Sequence, residues 1–168
     1  MFPNAPDGDM SLKDARDWLR ERVDDGAKCP CCTQLAKVYW RPINTGQAQS
    51  AIRLYVWQVS HPGQFAHLPT VLGRRSAEEA KLRYWGLVEE EIALRPDGGR
   101  SGYWRLTEQG AAWVRGQIRL PRYVRIYDGR ALGPPQSRSK SGKLMPDVMI
   151  KDALGDKFDY DALMRGEA

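Results

Sequence analysis

Apolar positions along the chain predict helices in its first half and a mixture of strands and helices after it. Leu12, Ala15, Leu19 and Val23 recur at helical spacing, with Trp18 beside them, as one buried helix face requires. Ser11, three residues ahead of Asp14, offers a capping box at the start of this helix, and Asp24-Asp25-Gly26 ends it. Asn44 is placed to cap a second helix whose apolar stripe is Ala48, Ala51, Ile52, Tyr55, Val56 and Val59. Leu54 and Trp57 fall on another face, so this helix is expected to be buried on most sides. His61-Pro62-Gly63 stops it. Residues 68–72 read as one short helical turn entered through Pro69 and closed by Gly73.

Ser76 and Glu79 form another capping box, ahead of a helix predicted over 77–85. Its most polar face carries Glu79 and Arg83, four apart with the acid first, the favourable order for an intrahelical ion pair. Gly86 stands where a left-handed carboxy-terminal cap would fall. Residues 87–94 read as a strand, Pro96-Asp97-Gly98-Gly99 as a turn, and 103–106 as the returning strand. Tyr103 and Trp104 point to opposite faces of that strand, so at most one is core. Thr107 caps a further helix containing Ala111, Ala112, Trp113 and Val114. Residues 118–132 alternate in part, and Asp128-Gly129 predicts a small hairpin. Residues 133–146 are rich in Pro, Gly, Ser and Lys, a linker by composition. The tail, 147–168, holds two apolar clusters, Val148, Ile150, Ala153 and Leu154, then Phe158, Tyr160, Leu163 and Met164. It is expected to dock on the body of the protein.

Two stretches in the middle of this order carry a resemblance. Leu82-Arg83-Tyr84-Trp85-Gly86-Leu87-Val88-Glu89 looks like the end of a recognition helix running into a wing strand. Gly102-Tyr103-Trp104-Arg105-Leu106-Thr107-Glu108-Gln109-Gly110 looks like the second wing strand and the Leu-Thr-x-x-Gly lead into the next helix. Residues 45–115 thus resemble the winged helix-turn-helix family. The whole chain also resembles a group of small proteins of actinobacterial phages. These have a cysteine-bearing loop ahead of the winged helix and a tail similar to Ile150-x-Asp152-Ala153-Leu154-Gly155-x-x-Phe158-Asp159-Tyr160. The second likeness implies a phage context and no particular activity. The expected fold is therefore α+β: a winged helix-turn-helix core with an amino-terminal helix, a cysteine loop and a linker-tethered carboxy-terminal segment. The expected division is 1–43 for the helix and loop, 44–132 for the winged domain with its hairpin, 133–146 for the linker and 147–168 for the tail.

Charge sharpens the functional expectation. The 168 residues carry a formal charge of +5. Residues 107–146 hold eight basic and two acidic side chains, net +6, whereas 147–168 are net −3. The basic block comprises Arg115, Arg119, Arg122, Arg125, Arg130, Arg138, Lys140 and Lys143. It suits a polyanion, whose condensed counterions are released on binding, and it equally suits a solvated surface with a flexible basic linker. The winged-helix likeness implies double-stranded DNA as partner, with the capped helix in the major groove and the wing on the backbone. Arg74, Arg75, Lys81, Arg83, Arg100 and Arg105 become candidate contacts by that likeness, and Arg119 and Arg122 join them from the basic block. Glu78 and Glu79, in the first turn of that helix, and Glu89, Glu90 and Glu91 beyond it, repel phosphate. They favour a module that binds a host protein through the winged surface or the tail. A homodimer is a further expectation, since duplex half-sites repeat.

The remaining chemistry is sparse. Cys29, Cys31 and Cys32 lie within four positions, and the Cys29-x-x-Cys32 pair can place two thiolates on one metal ion. A structural zinc ion wants four ligands, and His67 is the candidate to add to the three cysteines. The other reading is a reduced turn with no metal. Gly98-Gly99-Arg100-Ser101-Gly102 lacks the lysine of a phosphate-binding loop, and neither G-x-S-x-G nor H-E-x-x-H occurs. With two histidines in all, acid–base chemistry has few options, and the chain reads as non-enzymatic. No run of about 18 apolar residues is present, so no membrane span is expected. The first residues lack the apolar core of a secretory signal. The expected setting is the cytoplasm of a bacterial host.

Overall fold

A computed structural model describes residues 8–73, 78–92, 96 and 102–167. In chain order the elements are α1 (Leu12–Arg22), β1 (Ala27–Lys28), β2 (Leu35–Ala36), β3 (Tyr39–Pro42), α2 (Thr45–Ser60), β4 (Ala66–His67) and α3 (Leu68–Leu72). A 3-10 helix (Glu79–Trp85), β5 (Val88–Glu90), β6 (Tyr103–Leu106), α4 (Glu108–Val114), β7 (Tyr123–Tyr127) and β8 (Arg130–Ala131) follow. The chain ends with α5 (Ile150–Leu154), a 3-10 turn (Gly155–Lys157) and α6 (Tyr160–Met164). Helices and antiparallel strands are both present, as the α+β class requires. Among the described residues, no helix is long and apolar enough to cross a membrane.

Two compact units share the chain. One combines the described residues up to Arg41 with Val124–Gly133; the other combines Pro42–Tyr123 with the segment from Pro134 onward. The first unit contains α1, the β1–β2 hairpin and a sheet of order β3-β7-β8. Ser11 accepts the Asp14 N–H at 3.2 Å and so caps α1. Ala15, Ala27, Ala36, Val38, Val124 and Ile126 are buried there. Asp128 and Gly129, both at positive φ, make the two-residue turn between β7 and β8 that the sequence predicts. The hairpin was expected to belong with residues 44–132. Because β7 is hydrogen-bonded beside β3, it lies with the amino-terminal elements instead.

The second unit is built around α2. Asn44 accepts the Gln47 N–H at 2.9 Å, and the Gln47 side chain accepts the Asn44 N–H at 3.1 Å, a complete capping box. Ala48, Ala51, Ile52 and Leu54 are buried, whereas Val59, assigned to the apolar stripe, is 68% exposed. Packed on α2 are α3, the first 3-10 helix, β4, β6, α4, α5 and α6. The sheet order is β4-β6-β5, antiparallel throughout, with Val88 opposite Leu106 and Ala66 opposite Trp104. Trp104 is 5% exposed and Tyr103 41%, so Trp104 is the core member of that pair.

Two expectations about this unit need correction. Residues 79–85 wind as a 3-10 helix rather than an α-helix. With three residues per turn, positions three apart eclipse, which puts Glu79 in one buried row with Leu82 and Trp85. Glu79 is therefore turned inward, 2% exposed, and accepts the Ser50 hydroxyl at 3.1 Å. The expected capping residue Ser76 lies outside the described residues. Gly86 does close the helix, at φ +70, where a side chain would be strained. The second correction concerns 133–146, which does not act as an open tether. Tyr123 and Gln136 exchange both backbone hydrogen bonds, at 3.1 and 2.8 Å, and Arg138 bridges to Leu144 in an antiparallel pair.

The tail docks on this same unit. Val148 and Leu120 exchange backbone hydrogen bonds at 2.8 and 3.0 Å. The fully buried Trp113 donates its indole N–H to the Val148 carbonyl at 3.1 Å. Ile150, Leu154 and Leu163 are buried, and the Tyr160 hydroxyl donates to the Val114 carbonyl at 2.8 Å.

Gly110 carries the tightest approach. A Cβ there would meet the Leu87 carbonyl oxygen at 2.1 Å and Leu106 Cδ2 at 2.9 Å. This is the glycine of the Leu-Thr-x-x-Gly stretch, and its N–H is accepted by the Thr107 hydroxyl at 3.0 Å. Gly110→Ala should lower stability by about 1–3 kcal/mol as α4 is pushed off β5. Urea unfolding followed by tryptophan fluorescence measures it, and an unchanged midpoint would contradict this close approach.

Candidate nucleic-acid interface

The sequence nominates eight cations for nucleic acid. Arg74, Arg75 and Arg100 lie outside the described residues. The other five belong to the second unit, and most are engaged within the protein. Lys81 is ion-paired with Glu78 on the same helical turn. The Arg83 guanidinium lies 4.9 Å over the Tyr84 ring and donates to its hydroxyl at 3.1 Å. Arg105 donates Nε to Glu89 Oε1 at 2.6 Å and Nη1 to the Gly63 carbonyl at 3.3 Å, and sits 4.5 Å over Phe65. Arg119 reaches the Asp147 carbonyl at 3.4 Å and Asp152 at 3.8 Å. Arg122 has a buried Nε with no hydrogen-bond partner. Lys81 on the helix and Arg105 on β6 are thus each paired with a nearby acid.

A stretch without acids lies elsewhere. Between Gly129 and Pro146 the sequence has four cations, Arg130, Arg138, Lys140 and Lys143, and no acid. Residues 137–145 fold into a small hairpin. Met145 N–H donates to Ser137 O at 2.7 Å, Ser139 N–H to Lys143 O at 2.9 Å, and Gly142 N–H to Ser139 O at 2.9 Å. Its base is held by the Ser137 hydroxyl on the Asp147 carboxylate. Arg138, Lys140 and Lys143 are all exposed along it. Composition hides this hairpin, because Pro, Gly and Ser also describe a flexible linker. The signal that marks it is the Ser141-Gly142 turn dipeptide, with Gly142 at φ +80.

The cysteines occupy the turn of the β1–β2 hairpin in the other unit. Cys29 N–H donates to Gln34 O at 2.8 Å, and Thr33 N–H to Cys29 O at 2.9 Å, with Thr33 at φ +62. All three thiols are free; Cys31 and Cys32 are exposed. The backbone N–H groups of Cys32 and Cys31 point at the Cys29 sulfur and hold its thiol below the ordinary thiol range. His67 is in the second unit, where Nδ1 contacts the Thr70 hydroxyl at 2.8 Å and the ring lies 5.3 Å from Tyr103. Among the described residues no three His, Cys, Asp or Glu side chains are gathered to hold a metal ion.

A groove of about 470 Å³ that sequence reasoning missed lies where α6 meets α2 and α3, lined by Arg53, Val56, Trp57, Val71 and Leu163. Comparison with protein-family models, with curated proteins and with solved structures gives no match.

The seating of α6 should depend on pH. Asp159 caps this helix by accepting the Ala162 N–H at 3.0 Å. That hydrogen bond, then the Asp161 N–H and the charges of Arg165 and Lys151, hold its carboxyl below the ordinary 3.8. A carboxyl depressed in the folded state stabilises above its unfolded value, and the contribution disappears as pH falls through the folded one. Acidification below about pH 4 should therefore raise hydrogen exchange at the Leu163 and Arg165 amides. Asp159→Asn, which keeps an acceptor without titrating, should blunt that response. Equal acid sensitivity in the variant would refute the role of this cap.

Proposed function

We propose that this chain is a non-enzymatic, regulatory DNA-binding protein of winged helix-turn-helix type, encoded by a phage and acting in the cytoplasm of its bacterial host. The acid-free hairpin at 137–145 carries the reading. It presents Arg138, Lys140 and Lys143 as exposed cations on an ordered backbone, the chemistry that meets duplex phosphates. The element order around it supports the fold assignment. Helix α2, strand β4, α3, the 3-10 helix, then β5 and β6 in a sheet of order β4-β6-β5 follow the sequence of a helix-turn-helix and its wing. On this reading the duplex is held mainly through its backbone. The proposed protein acts as a homodimer on paired half-sites.

One observation favours a second reading. The Glu78–Lys81 and Glu89–Arg105 pairs neutralise the helix and wing strand that would face DNA. A module with that surface would instead engage a host protein through the winged face or the tail.

Duplex binding by fluorescence anisotropy across salt separates the two. The DNA reading expects log Kd to rise steeply with log salt, by about 0.9 per phosphate contact. The variant Arg138→Ala/Lys140→Ala/Lys143→Ala should flatten the slope by up to about 2.7, whereas Lys81→Ala should change it little. Absence of binding at low salt, together with one host protein retained on the full chain after nuclease treatment, would decide for the second reading.

A further inference from the structure

We propose that the groove between α2, α3 and α6 binds a small organic carboxylate with a flat apolar body, held by the Arg53 guanidinium. The groove lies wholly within the second unit. Its volume of about 470 Å³ is in the range that takes a small molecule. Arg53, Val56 and Trp57 stand at i, i+3 and i+4 of α2, so one helix face forms its floor. Val71 of α3 and Leu163 of α6 supply apolar walls. Gly166 packs against α2, where a Cβ on it would lie 3.6 Å from Val56 Cγ1. The Trp57 ring is already fixed. His61 stacks on it at 4.1 Å with the planes 4° apart, and its Nδ1 contacts the Trp57 carbonyl at 2.9 Å. A ligand packing there meets a ring that needs no further ordering.

Arg53 decides the class of ligand. It is half-buried, and its Nη1 donates to the Leu72 carbonyl at 3.5 Å. A guanidinium carries five N–H donors, and among the described residues no acid lies within ion-pair reach of this one. The acid in the groove lining, Glu167, is engaged by another cation: Arg165 donates to both its carboxylate oxygens, at 2.7 and 2.9 Å. The N–H groups of Gly166 and Glu167 are likewise taken, on the Leu163 and Ala162 carbonyls at 3.0 Å each. The groove therefore presents one guanidinium without an acid partner, set among an aromatic ring and aliphatic side chains. A planar fork meets a carboxylate in two parallel hydrogen bonds. A phosphate monoester fits worse. Its second charge finds no second cation among the described residues of the lining, and it faces the Glu167 carboxylate there. The inference is independent of whether the protein binds DNA.

The test uses the full chain and three aromatic monocarboxylates of increasing size, benzoate, indole-3-acetate and naphthalene-2-carboxylate, with indole-3-acetamide as the neutral control. Isothermal titration should give a submillimolar Kd for the two larger acids. The amide should bind about tenfold more weakly or worse, the scale of one charge-assisted hydrogen bond. Arg53→Gln should weaken the acids by the same factor and leave the amide unchanged. Backbone amide NMR shifts on the unmodified chain supply a readout that needs no variant. Added indole-3-acetate should move the signals of Trp57, Val71 and Leu163 and leave those of the hairpin at 137–145 in place. Equal binding of acid and amide, acid binding untouched by Arg53→Gln, shifts centred on the hairpin at 137–145, or no binding of any of the three acids at millimolar concentration would each overturn the proposal.

Discussion

Burying the 16-residue helix α2 on almost every side is the constraint on which the second unit depends. Its small residues Ala48 and Ala51 are fully enclosed, which lets neighbouring elements approach closely. It also carries polar side chains into that interior, and each must find a partner or cost stability. Gln47 donates to the Glu78 carbonyl at 3.1 Å, Ser50 to the Glu79 carboxylate at 3.1 Å, and Gln58 accepts the Leu106 N–H at 2.8 Å. These three bonds tie both ends of the 3-10 helix–strand segment to one helix. They do what apolar packing alone cannot, because a hydrogen bond specifies register as well as proximity.

The carboxy-terminal segment solves a second problem of the same kind. Trp113 is fully buried and its N–H needs an acceptor. The acceptor is Val148, which enters only when the tail returns to pair with Leu120. Val148 is thereby held extended, so α5 begins at Ile150 rather than at Asp147, where the apolar spacing would allow a start. The tail is consequently part of the core. Its acids do contact the basic block, through Arg119, but its apolar residues Ile150, Leu154 and Leu163 are what the unit encloses.

Local signals were readable wherever one residue type has one job. Asn44, Ser11 and Thr107 cap helices as their side chains dictate, Pro69 opens α3, and Asp128-Gly129 turns a hairpin. What escaped was whatever depends on distant partners. Positions three apart share a face in a 3-10 helix and nearly so in an α-helix, so Glu79, Leu82 and Trp85 do not announce which winding buries them. The pairing of β3 with β7 joins strands far apart in the chain, and no local pattern encodes it. The order in 133–146 rests on Gln136 meeting Tyr123 and on Ser137 meeting Asp147, contacts that composition cannot express. The candidate interface was legible as a block of charge, while three of its exposed members lie in the stretch that looked least structured.

Compensation, more than count, decides where this protein is electropositive. Lys81, Arg105 and Arg119 are each within ion-pair reach of an acid, and Arg83 is spread over an aromatic ring. The fields of the three paired cations are short-ranged, because an acid a few ångströms away cancels each beyond about a Debye length. The hairpin at 137–145 contains no acid of its own, and Asp147 at its base is bonded to Ser137. Its cations sit on a backbone already ordered, and ordering them on a polyanion costs less entropy than ordering a free linker would. A formal charge of +5 spread over the whole chain would not distinguish one face from another. Pairing on the helix and wing strand, set against an acid-free hairpin, gives that charge a location.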